Sequence, residues 1–417
     1  MSGKFKIGIL RETKTPPDRR VALPPMQALA LMRQFPNIEI AIQPSELRCY
    51  KDIEYTKVGL SLQEDLSDCD ILLGVKEVKA EALIPGKTYL FFAHVAKKQP
   101  HNHRLLQTIV RRKVTLIDYE YLTDIKGVRL VAFGRWAGIV GAYNALRARG
   151  LRTDYFTLKP AHHCCSKEEM FDLLKTIKLR PIKILVTGGG RVAMGAMETF
   201  GALGVREVSP TDFLTKEYSE AVLTRIEARH YVKRKDGGPF DMAHFKANPT
   251  DYESTFLPYT KVSDLFVACH YWDYRSPHFF SDNDMLSSDF KISVIADVSC
   301  DVPGPIPATV RTSSIAEPFY GYNRFTGKEE VAFTKAHDIT IMAVDNLPGE
   351  LPRDAAADFG EALVNKVLPC FLNNDPDGVL QRATITQCGV LTPRYEYLTD
   401  FATGQPESFI RSKGEPK

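Results

Sequence analysis

Four groups of polar side chains each follow a short apolar run in the first third of the chain. The groups are Arg20, Lys76 with Glu77, His94, and Asp118 with Glu120. Lysine and histidine are the side chains whose pKa values move most readily towards neutrality, so they can both give and take protons. Ligands gather at the carboxyl ends of the strands in open α/β sheets. The pattern predicts carbonyl and amine chemistry, whereas taken singly a strand-end lysine can be solvated and His94 can be a core imidazole.

A glycine-rich turn is the second chemical feature. It follows the apolar residues 184–186 and reads Gly188-x-Gly190-x-x-Ala193, with Arg191 and Val192 inside it. Glycines let the backbone and the following helix N-terminus approach a pyrophosphate closely. An ordinary glycine-rich turn of an α/β sheet is the alternative. A strand pattern before the turn and a helix pattern over residues 193–202 favour dinucleotide binding.

The residue that meets the adenosine ribose distinguishes the two common dinucleotides. An acid usually stands there, roughly 20 residues after the first glycine. In this chain that position falls on Ser209, at the end of a strand predicted over residues 206–209. A missing carboxylate removes the repulsion that excludes a 2′-phosphate, and Arg191 or Arg206 can pair with one. The predicted cofactor is therefore NAD or NADP.

Strand and helix patterns alternate around these residues in the manner of βαβ units. Strands are predicted first over residues 7–10, 38–42, 71–75, 89–93, 114–118 and 129–133, with helices over 26–32 and 105–110. A tightly packed helix with packing glycines is predicted over 136–146, and a charged helix over 167–177. Residues 213–260 are predicted to be polar and irregular, before strands over 265–269, 292–298 and 339–344 and a helix over 353–368.

These elements predict the α/β class, with two Rossmann-like doubly wound domains and a cleft between them. A length of 417 residues agrees with two domains. Residues 1–136 plus 348–417 are expected to form a discontinuous substrate and catalytic domain, and residues 137–347 the dinucleotide-binding domain.

Charge and hydropathy limit the partners. The chain has 54 Lys and Arg against 51 Asp and Glu, a net charge of +3, and no long basic block suited to a nucleic-acid backbone. No apolar run approaches the ~18 residues that cross a bilayer. Strand pattern begins almost at once, which leaves no room for a leader, so we expect a cytoplasmic protein. Its predicted partners are small molecules, with neither nucleic acid nor membrane, and the oligomeric state stays open.

The cysteines predict thiols rather than a metal site. Eight are spread along the chain, mostly in apolar contexts, which favours buried free thiols and a reducing compartment. The run His162-His163-Cys164-Cys165 invites a metal hypothesis. Neighbouring residues rarely point at one ion, however, and no CxxC pair stands elsewhere, so no metal site is predicted.

Several longer motifs carry a family resemblance. They are Arg11-Glu12-Thr13-Lys14, Arg20-Val21-Ala22-Leu23, Gly74-Val75-Lys76-Glu77, Phe91-Phe92-Ala93-His94, Leu116-Ile117-Asp118-Tyr119-Glu120, Gly134-Arg135-Trp136-Ala137-Gly138, Ala296-Asp297-Val298-Ser299 and Asp345-Asn346-Leu347-Pro348. On these motifs the chain resembles the alanine dehydrogenase and pyridine-nucleotide transhydrogenase superfamily. Within it, the chain is similar to the lysine-forming saccharopine dehydrogenases, also called lysine-2-oxoglutarate reductases. The resemblance covers nearly all of residues 5–400.

The resemblance implies roles on the substrate side. Lys76 would take the proton of the secondary amine as hydride leaves, with a pKa lowered by nearby Arg20. His94 would serve the imine and carbinolamine steps, and Arg20 would bind a substrate carboxylate. Glu77 and Glu120 would tune Lys76 and His94 or hold the cationic lysine. The further substrate-binding residues are Lys97 and Arg135.

On the cofactor side the resemblance implies a second set of residues. The pyrophosphate turn would consist of Gly188, Gly190, Arg191, Val192 and Ala193. Ser209, Asp297 and Asp345 would complete the cofactor site, with Asp345 near the nicotinamide.

The expected function is that of a freestanding oxidoreductase acting on a CH–NH bond. It would form or cleave saccharopine, from lysine, 2-oxoglutarate and NAD(P)H, through an imine and hydride transfer. An amino-acid (alanine-type) dehydrogenase using ammonia is one alternative, and a non-catalytic NAD(P)-binding or transhydrogenase-like protein is another. The substrates expected are an amino acid and a 2-oxoacid.

Overall fold

The computed structural model describes residues 4–404. The chain divides into two compact units. The first combines the chain up to Ala132 with the chain from Pro352 onward, and the second consists of Phe133–Leu351.

The first segment of the first unit alternates strands and helices. Its elements are β1 (Phe5–Ile9), α1 (Pro25–Gln34), β2 (Ile38–Ile42), α2 (Asp52–Thr56), β3 (Ser61–Leu62), β4 (Ile71–Leu73), β5 (Thr88–Phe91), α3 (His103–Arg111) and β6 (Thr115–Asp118). Every residue of β4 is buried, as a parallel strand covered on both faces requires.

The second unit begins with a long helix and then builds its own sheet. Its elements are α4 (Gly134–Thr153), α5 (Lys167–Leu174), β7 (Lys183–Thr187), α6 (Arg191–Ala202), β8 (Arg206–Glu207), α7 (Pro210–Thr215), β9 (Val222–Ile226), α8 (Ala228–Tyr231), β10 (Val232–Arg234), α9 (Met242–Ala247), β11 (Tyr252–Ser254), α10 (Leu257–Thr260), β12 (Leu265–Ala268), α11 (Asp282–Met285), β13 (Val294–Asp297), β14 (Phe319–Asn323), β15 (Lys328–Glu330) and β16 (Ile339–Met342). A 3₁₀ turn, Leu347–Glu350, ends the unit.

The chain then returns to complete the first unit. The returning elements are α12 (Pro352–Lys366), α13 (Val379–Ala383), β17 (Thr384–Gln387), β18 (Val390–Leu391) and α14 (Thr399–Thr403). The first sheet has the order β18-β17-β6-β5-β4-β1-β2-β3. All its pairs from β6 to β3 are parallel, whereas β17 pairs antiparallel with β6 and with β18.

The second sheet has the order β15-β14-β16-β13-β12-β7-β9-β8. The six strands from β16 to β8 are parallel, and β14 and β15 add an antiparallel edge. Strands β10 and β11 form a separate hairpin. The predicted α/β class with two doubly wound sheets is thus confirmed, with short helices between most of the parallel strands.

Two helices of the second unit pack unusually closely. A Cβ added at Gly138 of α4 would stand 1.8 Å from the carbonyl oxygen of Val192 on α6, and one at Gly195 would stand 2.0 Å from the carbonyl oxygen of Arg135. Only glycine permits this approach, because any side chain would collide with backbone. The prediction of a tightly packed helix with packing glycines is therefore confirmed.

Two predicted features are wrong. Residues 129–133 form no strand. Leu130 donates its N–H to the carbonyl oxygen of Leu122, and Arg129 forms a single isolated bridge with Thr123, so the segment pairs with a neighbouring loop and not with a sheet. These residues close a small turn on Asp124, whose carboxylate accepts the N–H of Val128, and their apolar side chains are used in packing. Residues 213–260 are not irregular either, since they contain β9, which lies between β7 and β8 in the second sheet and whose short apolar run is bounded by acids.

None of the helices within residues 4–404 is long and apolar enough to span a bilayer.

Candidate active site

The predicted catalytic side chains of the first unit lie at the carboxyl edge of its sheet. Strands β1, β4, β5 and β6 are consecutive parallel neighbours, so the segments after them converge at one edge. Arg20 follows β1, Lys76 and Glu77 follow β4, His94 and Lys97 follow β5, and Glu120 follows β6. The structure brings these six predicted residues together.

Arg20 is fixed by a residue that the sequence reasoning did not assign. Its Nε and Nη2 donate to the two carboxylate oxygens of Asp18 at 3.0 and 2.6 Å, and both side chains are almost fully buried. Burial opposes ionisation of Asp18, but the contacts with Arg20 outweigh it and hold the pKa of Asp18 well below its usual range. The fork orients the guanidinium rigidly.

Lys76 lies beside this pair. Burial, and after it the charge of Arg20, lowers the pKa of the Lys76 amine. A lysine of this kind reaches its neutral form at lower pH than an exposed one. Because a proton acceptor must be neutral before it acts, the environment of Lys76 suits the predicted role of a base.

Glu12 holds the backbone that carries Lys76. Its two carboxylate oxygens accept the N–H of Val75 at 2.6 Å and the N–H of Lys76 at 2.9 Å. Burial raises the pKa of Glu12 to about 7. The sequence offered one signal for this contact, the position of Glu12 within Arg11-Glu12-Thr13-Lys14 directly after β1.

Glu77 interacts with both Lys14 and His94. Its carboxylate pairs with Lys14 at 3.0 Å, and the imidazole of His94 also acts on it electrostatically. Burial would raise the pKa of Glu77, but hydrogen bonds and the electrostatic effects of Lys14 and His94 lower it. A cavity of about 380 Å³ opens beside the Lys14–Glu77 pair.

His94 faces an acid that several cations share. Its Nδ1 lies 3.4 Å from Oε2 of Glu120, whose Oε1 accepts from Lys97 at 2.9 Å and from Arg129 at 3.0 Å. Burial opposes ionisation of Glu120, yet His94 and Lys97 lower its pKa to about 2. Glu120 therefore remains charged and can orient the imidazole.

The backbone at His94 is held in an uncommon conformation. His94 has φ 55°, in the left-handed region, and its N–H donates to Oδ2 of buried Asp118 at 3.2 Å. Oδ1 of Asp118 accepts the N–H of Glu120 at 2.9 Å. Burial raises the pKa of Asp118 to about 6, while these two amides favour its charged form. The carboxylate of Asp118 thus holds the backbone at both His94 and Glu120.

The glycine turn of the second unit has the geometry that a phosphate needs. Gly188 has φ +107°, and a Cβ there would stand 2.5 Å from the carbonyl oxygen of Cys269. Gly190 caps the 12-residue helix α6 and faces open space. Arg191 is the first residue of α6 and is exposed, whereas Ala193 is buried. The exposed helix N-terminus and the glycine backbone before it fit the pyrophosphate of a dinucleotide.

Val192 serves the packing of this turn. Its carbonyl oxygen is the atom nearest to Gly138, and its side chain would lie 3.3 Å from a Cβ at Gly134. Val192 thereby holds α6 against α4.

Ser209 follows a strand that does not lie beside β7, the strand before the glycine turn. Strand β8 pairs with β9 alone, and β9 is the strand beside β7. Ser209 is exposed and caps α7, where its Oγ accepts the N–H of Asp212. The strand before Ser209 therefore does not lie beside β7, and the role of Ser209 in cofactor binding stays a prediction.

An acid does stand at the end of β9. Glu227 follows Ile226, and a Cβ at Gly189 would lie 2.8 Å from its Oε1. Arg225 donates to the same oxygen at 2.9 Å. The sequence distance from Gly188 is nearly twice the usual one, which is why the spacing rule missed Glu227.

The remaining predicted residues also belong to the second unit. Asp297 ends β13 and is fully buried, where its oxygens accept from Ser299 and from Thr309. Asp345 is exposed beyond the end of β16. Arg135, predicted to bind substrate, forms a fork with Glu198 at 2.8 and 2.9 Å on the packed faces of α4 and α6.

Within residues 4–404, no group of three or more potential ligands could hold a metal ion. His162 instead approaches buried Glu350, with 3.4 Å between Nδ1 and Oε2. Glu350 also accepts from Asn144 at 2.7 Å.

The doubly wound units and the glycine turn place the chain in the class of α/β proteins with a dinucleotide-binding fold. The Alanine dehydrogenase/PNT, N-terminal domain matches residues 8–140, and the Alanine dehydrogenase/PNT, C-terminal domain matches residues 161–396. The chain therefore belongs to the alanine dehydrogenase/PNT family, and the resemblance inferred from the motifs is confirmed.

Individual relatives add detail. The chain is 29% identical to the mitochondrial alpha-aminoadipic semialdehyde synthase of Mus musculus, over 94% of this chain and 47% of that protein. It is 27% identical to the saccharopine dehydrogenase [NAD(+), L-lysine-forming] of Emericella nidulans, over 88% of this chain and 92% of that protein. A solved L-alanine dehydrogenase has the same fold, with a TM-score of 0.63 at 16% identity over 95% of this chain and all of that one. The chain spans about half the length of the aminoadipic semialdehyde synthases that it matches.

Proposed function

We propose that the chain is an oxidoreductase of the lysine-forming saccharopine dehydrogenase type, which forms or cleaves saccharopine. The observation that carries the proposal is the pair Lys76 and His94 at one sheet edge, each with its own charged neighbours. Such a pair supplies two proton-transfer groups of different character, which imine chemistry requires.

The first unit would bind the substrate and perform the proton transfers. In the cleaving direction, Lys76 accepts the proton of the secondary amine while the adjacent carbon loses hydride, so an imine forms. His94 then removes a proton from the attacking water and returns it to the departing amine, and the carbinolamine separates into lysine and 2-oxoglutarate. Arg20, held by Asp18, binds a carboxylate of the substrate.

The second unit would bind the dinucleotide, which when bound accepts or supplies the hydride. The turn from Gly188 to Ala193 would hold its pyrophosphate, and Glu227, which follows β9 beside the turn, would meet the adenosine ribose. A carboxylate there accepts hydrogen bonds from ribose hydroxyls and repels a 2′-phosphate. We therefore propose NAD as the preferred cofactor, and the similar Emericella nidulans protein is named for NAD(+).

Cofactor oxidation with paired substrates tests the function. The purified chain is mixed with NADH and either lysine plus 2-oxoglutarate or ammonia plus pyruvate. We expect turnover with the first pair. Turnover with ammonia and pyruvate alone would show an alanine-type dehydrogenase, and NADH binding without any turnover would show a non-catalytic protein.

A cytoplasmic location is part of the proposal, because all eight cysteines are free thiols and a reducing compartment preserves them. Cell fractionation with an antibody against the chain tests it. Recovery in an organelle or membrane fraction would contradict it.

A further inference from the structure

The nine residues 270–278, here called the aromatic loop, leave the carboxyl end of β12. Tyr271 is 88% exposed and Tyr274 is 82% exposed, and among residues 4–404 these are the two most exposed large apolar side chains. Single exposed apolar residues are ordinary, whereas here two tyrosines three residues apart on one loop are both exposed. Exposed aromatic surface of this kind marks binding sites.

The aromatic loop is ordered rather than frayed. His270 at its start is buried, with Nδ1 at 2.9 Å from Oγ1 of Thr187 and its ring 4.5 Å from that of Phe279. Burial lowers the pKa of His270 to about 3, so this anchor is neutral. Inside the loop, Arg275 forms a fork with Asp273 at 2.8 and 2.9 Å. The loop is therefore held by contacts of residues next to both tyrosines.

The loop begins against the glycine turn. Ala268 of β12 lies beside Thr187 of β7 in register, and the carbonyl oxygen of Cys269 is the atom that excludes a side chain at Gly188. The sheet order β12-β7-β9 places the loop on one side of the turn and Glu227 on the other. A dinucleotide whose adenosine ribose meets Glu227 and whose pyrophosphate meets α6 must extend its nicotinamide half towards β12.

We propose that Tyr271 and Tyr274 form the wall of the nicotinamide half of the dinucleotide site, packing their ring faces against the nicotinamide riboside of bound NADH. The inference rests on the proposed dinucleotide site of the second unit and names residues that no motif pointed to. Aromatic side chains supply apolar surface at low entropic cost, and their ring faces stack on the planar rings of nucleotides.

Calorimetric titration of the full chain with two probes tests this assignment. NADH contacts both halves of the site, whereas ADP reaches only the adenosine and pyrophosphate half. In the double variant Tyr271→Ala/Tyr274→Ala we expect the Kd for NADH to rise about tenfold, roughly 1.4 kcal/mol, with the Kd for ADP unchanged. Phe325→Ala, which removes another exposed aromatic of the same unit, should change neither value.

The conservative pair Tyr271→Phe/Tyr274→Phe separates ring faces from hydroxyls. We expect it to retain wild-type NADH affinity, and a loss equal to that of the alanine pair would overturn packing by ring faces. Equal weakening of NADH and ADP, or of neither, would also overturn the proposal. A change of oligomeric state in the alanine pair with unchanged NADH binding would assign the tyrosines to contact with a second copy instead.

A measurement on unaltered tyrosines covers the case in which the alanine pair does not fold. Trp272 lies in the aromatic loop and is one of only two tryptophans, the other being Trp136. Excitation of tryptophan should give sensitised emission from bound NADH, and Trp272→Phe should remove most of it at unchanged calorimetric Kd. Persistence of the signal in that variant would contradict the assignment. Absence of NADH binding to the wild type would instead refute the proposed function itself.

Discussion

Glu12 accepts the backbone N–H of Lys76 at 2.9 Å, so a carboxylate after the first strand fixes the loop that carries the proposed base. Its second oxygen accepts the N–H of Val75 at 2.6 Å. Ile9 of β1 and Leu73 of β4 are 64 residues apart in the chain but are partners in the sheet, which makes the contact possible. Glu12 is a positioning residue, because it acts on the backbone of Lys76.

Replacing Glu12 by glutamine should slow turnover while substrate affinity changes little. The glutamine oxygen can accept one N–H, but its NH₂ group cannot accept the other, so one amide loses its partner. We expect kcat to fall about tenfold, roughly 1.4 kcal/mol, with KM within twofold. Glu46→Gln, at an exposed site, is the matched control.

The same variant has a signature in stability. The pKa of Glu12 rises from 4.5 to about 7 on folding, so its protonated form is favoured in the folded chain. Its contribution, up to about 3 kcal/mol, is present below pH 4.5 and lost as the pH rises through 7. Urea unfolding between these pH values should show this decline in the wild type and a flatter profile in Glu12→Gln. Identical profiles would contradict the raised pKa.

Lys76→Met should abolish turnover without loss of cofactor affinity. General-base catalysis contributes about 10²–10⁴ in rate, and the residues proposed to hold the cofactor belong to the other unit. In the wild type, saccharopine oxidation should accelerate as pH rises, with a midpoint below the ordinary lysine value of 10.5. Lys57→Met, an exposed control, should match the wild type. Unchanged kcat in Lys76→Met would remove lysine from the mechanism.

Glu120 should stabilise the chain in a defined acid range. Its pKa falls from 4.5 to about 2 on folding, so the stabilisation is complete above pH 4.5 and is lost as the pH falls towards 2. Discounted for partial exposure, we expect about 1–2 kcal/mol. Glu120→Gln should lose this amount at pH 7 and show a shallower acid decline, as followed by thermal unfolding. Glu396→Gln, an exposed acid of the same unit, should keep the wild-type decline.

Glu227 should determine the preference between NADH and NADPH. We expect the wild type to bind NADH at least about tenfold more tightly than NADPH, roughly 1.4 kcal/mol. Glu227→Ala should lower the ratio of the Kd for NADPH to the Kd for NADH, because it removes the repulsion of the 2′-phosphate. Glu220→Ala removes an acid near the other end of the same strand, where it pairs with Arg206 at 2.9 Å, and should leave the ratio intact. Tighter NADPH binding by the wild type would reverse the proposed preference.

Gly138→Ala should destabilise the second unit strongly. The new methyl group would stand 1.8 Å from a backbone oxygen of α6, so the helices must separate. We expect a loss of about 3 kcal/mol. Gly201→Ala lies on α6 with no atom within 4 Å of the added Cβ and should gain up to about 1 kcal/mol in denaturant unfolding. Equal effects of the two changes would exclude the close packing.

That Lys76, His94 and Glu120 lie at one sheet edge could be predicted from the sequence, because each residue's position depends only on the strand that precedes it. Lys76, His94 and Glu120 each follow an apolar run, and parallel strands deliver their carboxyl ends to one edge whatever their order. No role was predicted for Asp18 or Glu12, because the sequence does not show which groups their carboxylates contact. Their partners are backbone amides or a neighbouring arginine, and those contacts depend on strand adjacency and on the path of a loop.

The cofactor side shows where spacing rules fail. The rule that places an acid about 20 residues after the first glycine assumes that the next strand pairs with the first. Here β8 is a two-residue edge strand, and β9 takes the inner position. Residue spacing carries no information on which strand lies beside which, so it pointed to Ser209 and gave no indication of Glu227, the residue proposed here.

The return of the chain to its first sheet has a consequence for synthesis on the ribosome. Leu116 of β6 and Thr386 of β17 are 270 residues apart, yet the hydroxyl of Thr386 accepts the N–H of Leu116 at 3.2 Å. A nascent chain that has emerged as far as Leu351 already contains every strand of the second sheet, while the first sheet still lacks β17 and β18. Domains fold as they emerge. We therefore expect the unit that begins second to finish first, with the edge of β6 exposed to chaperones until the last strands arrive.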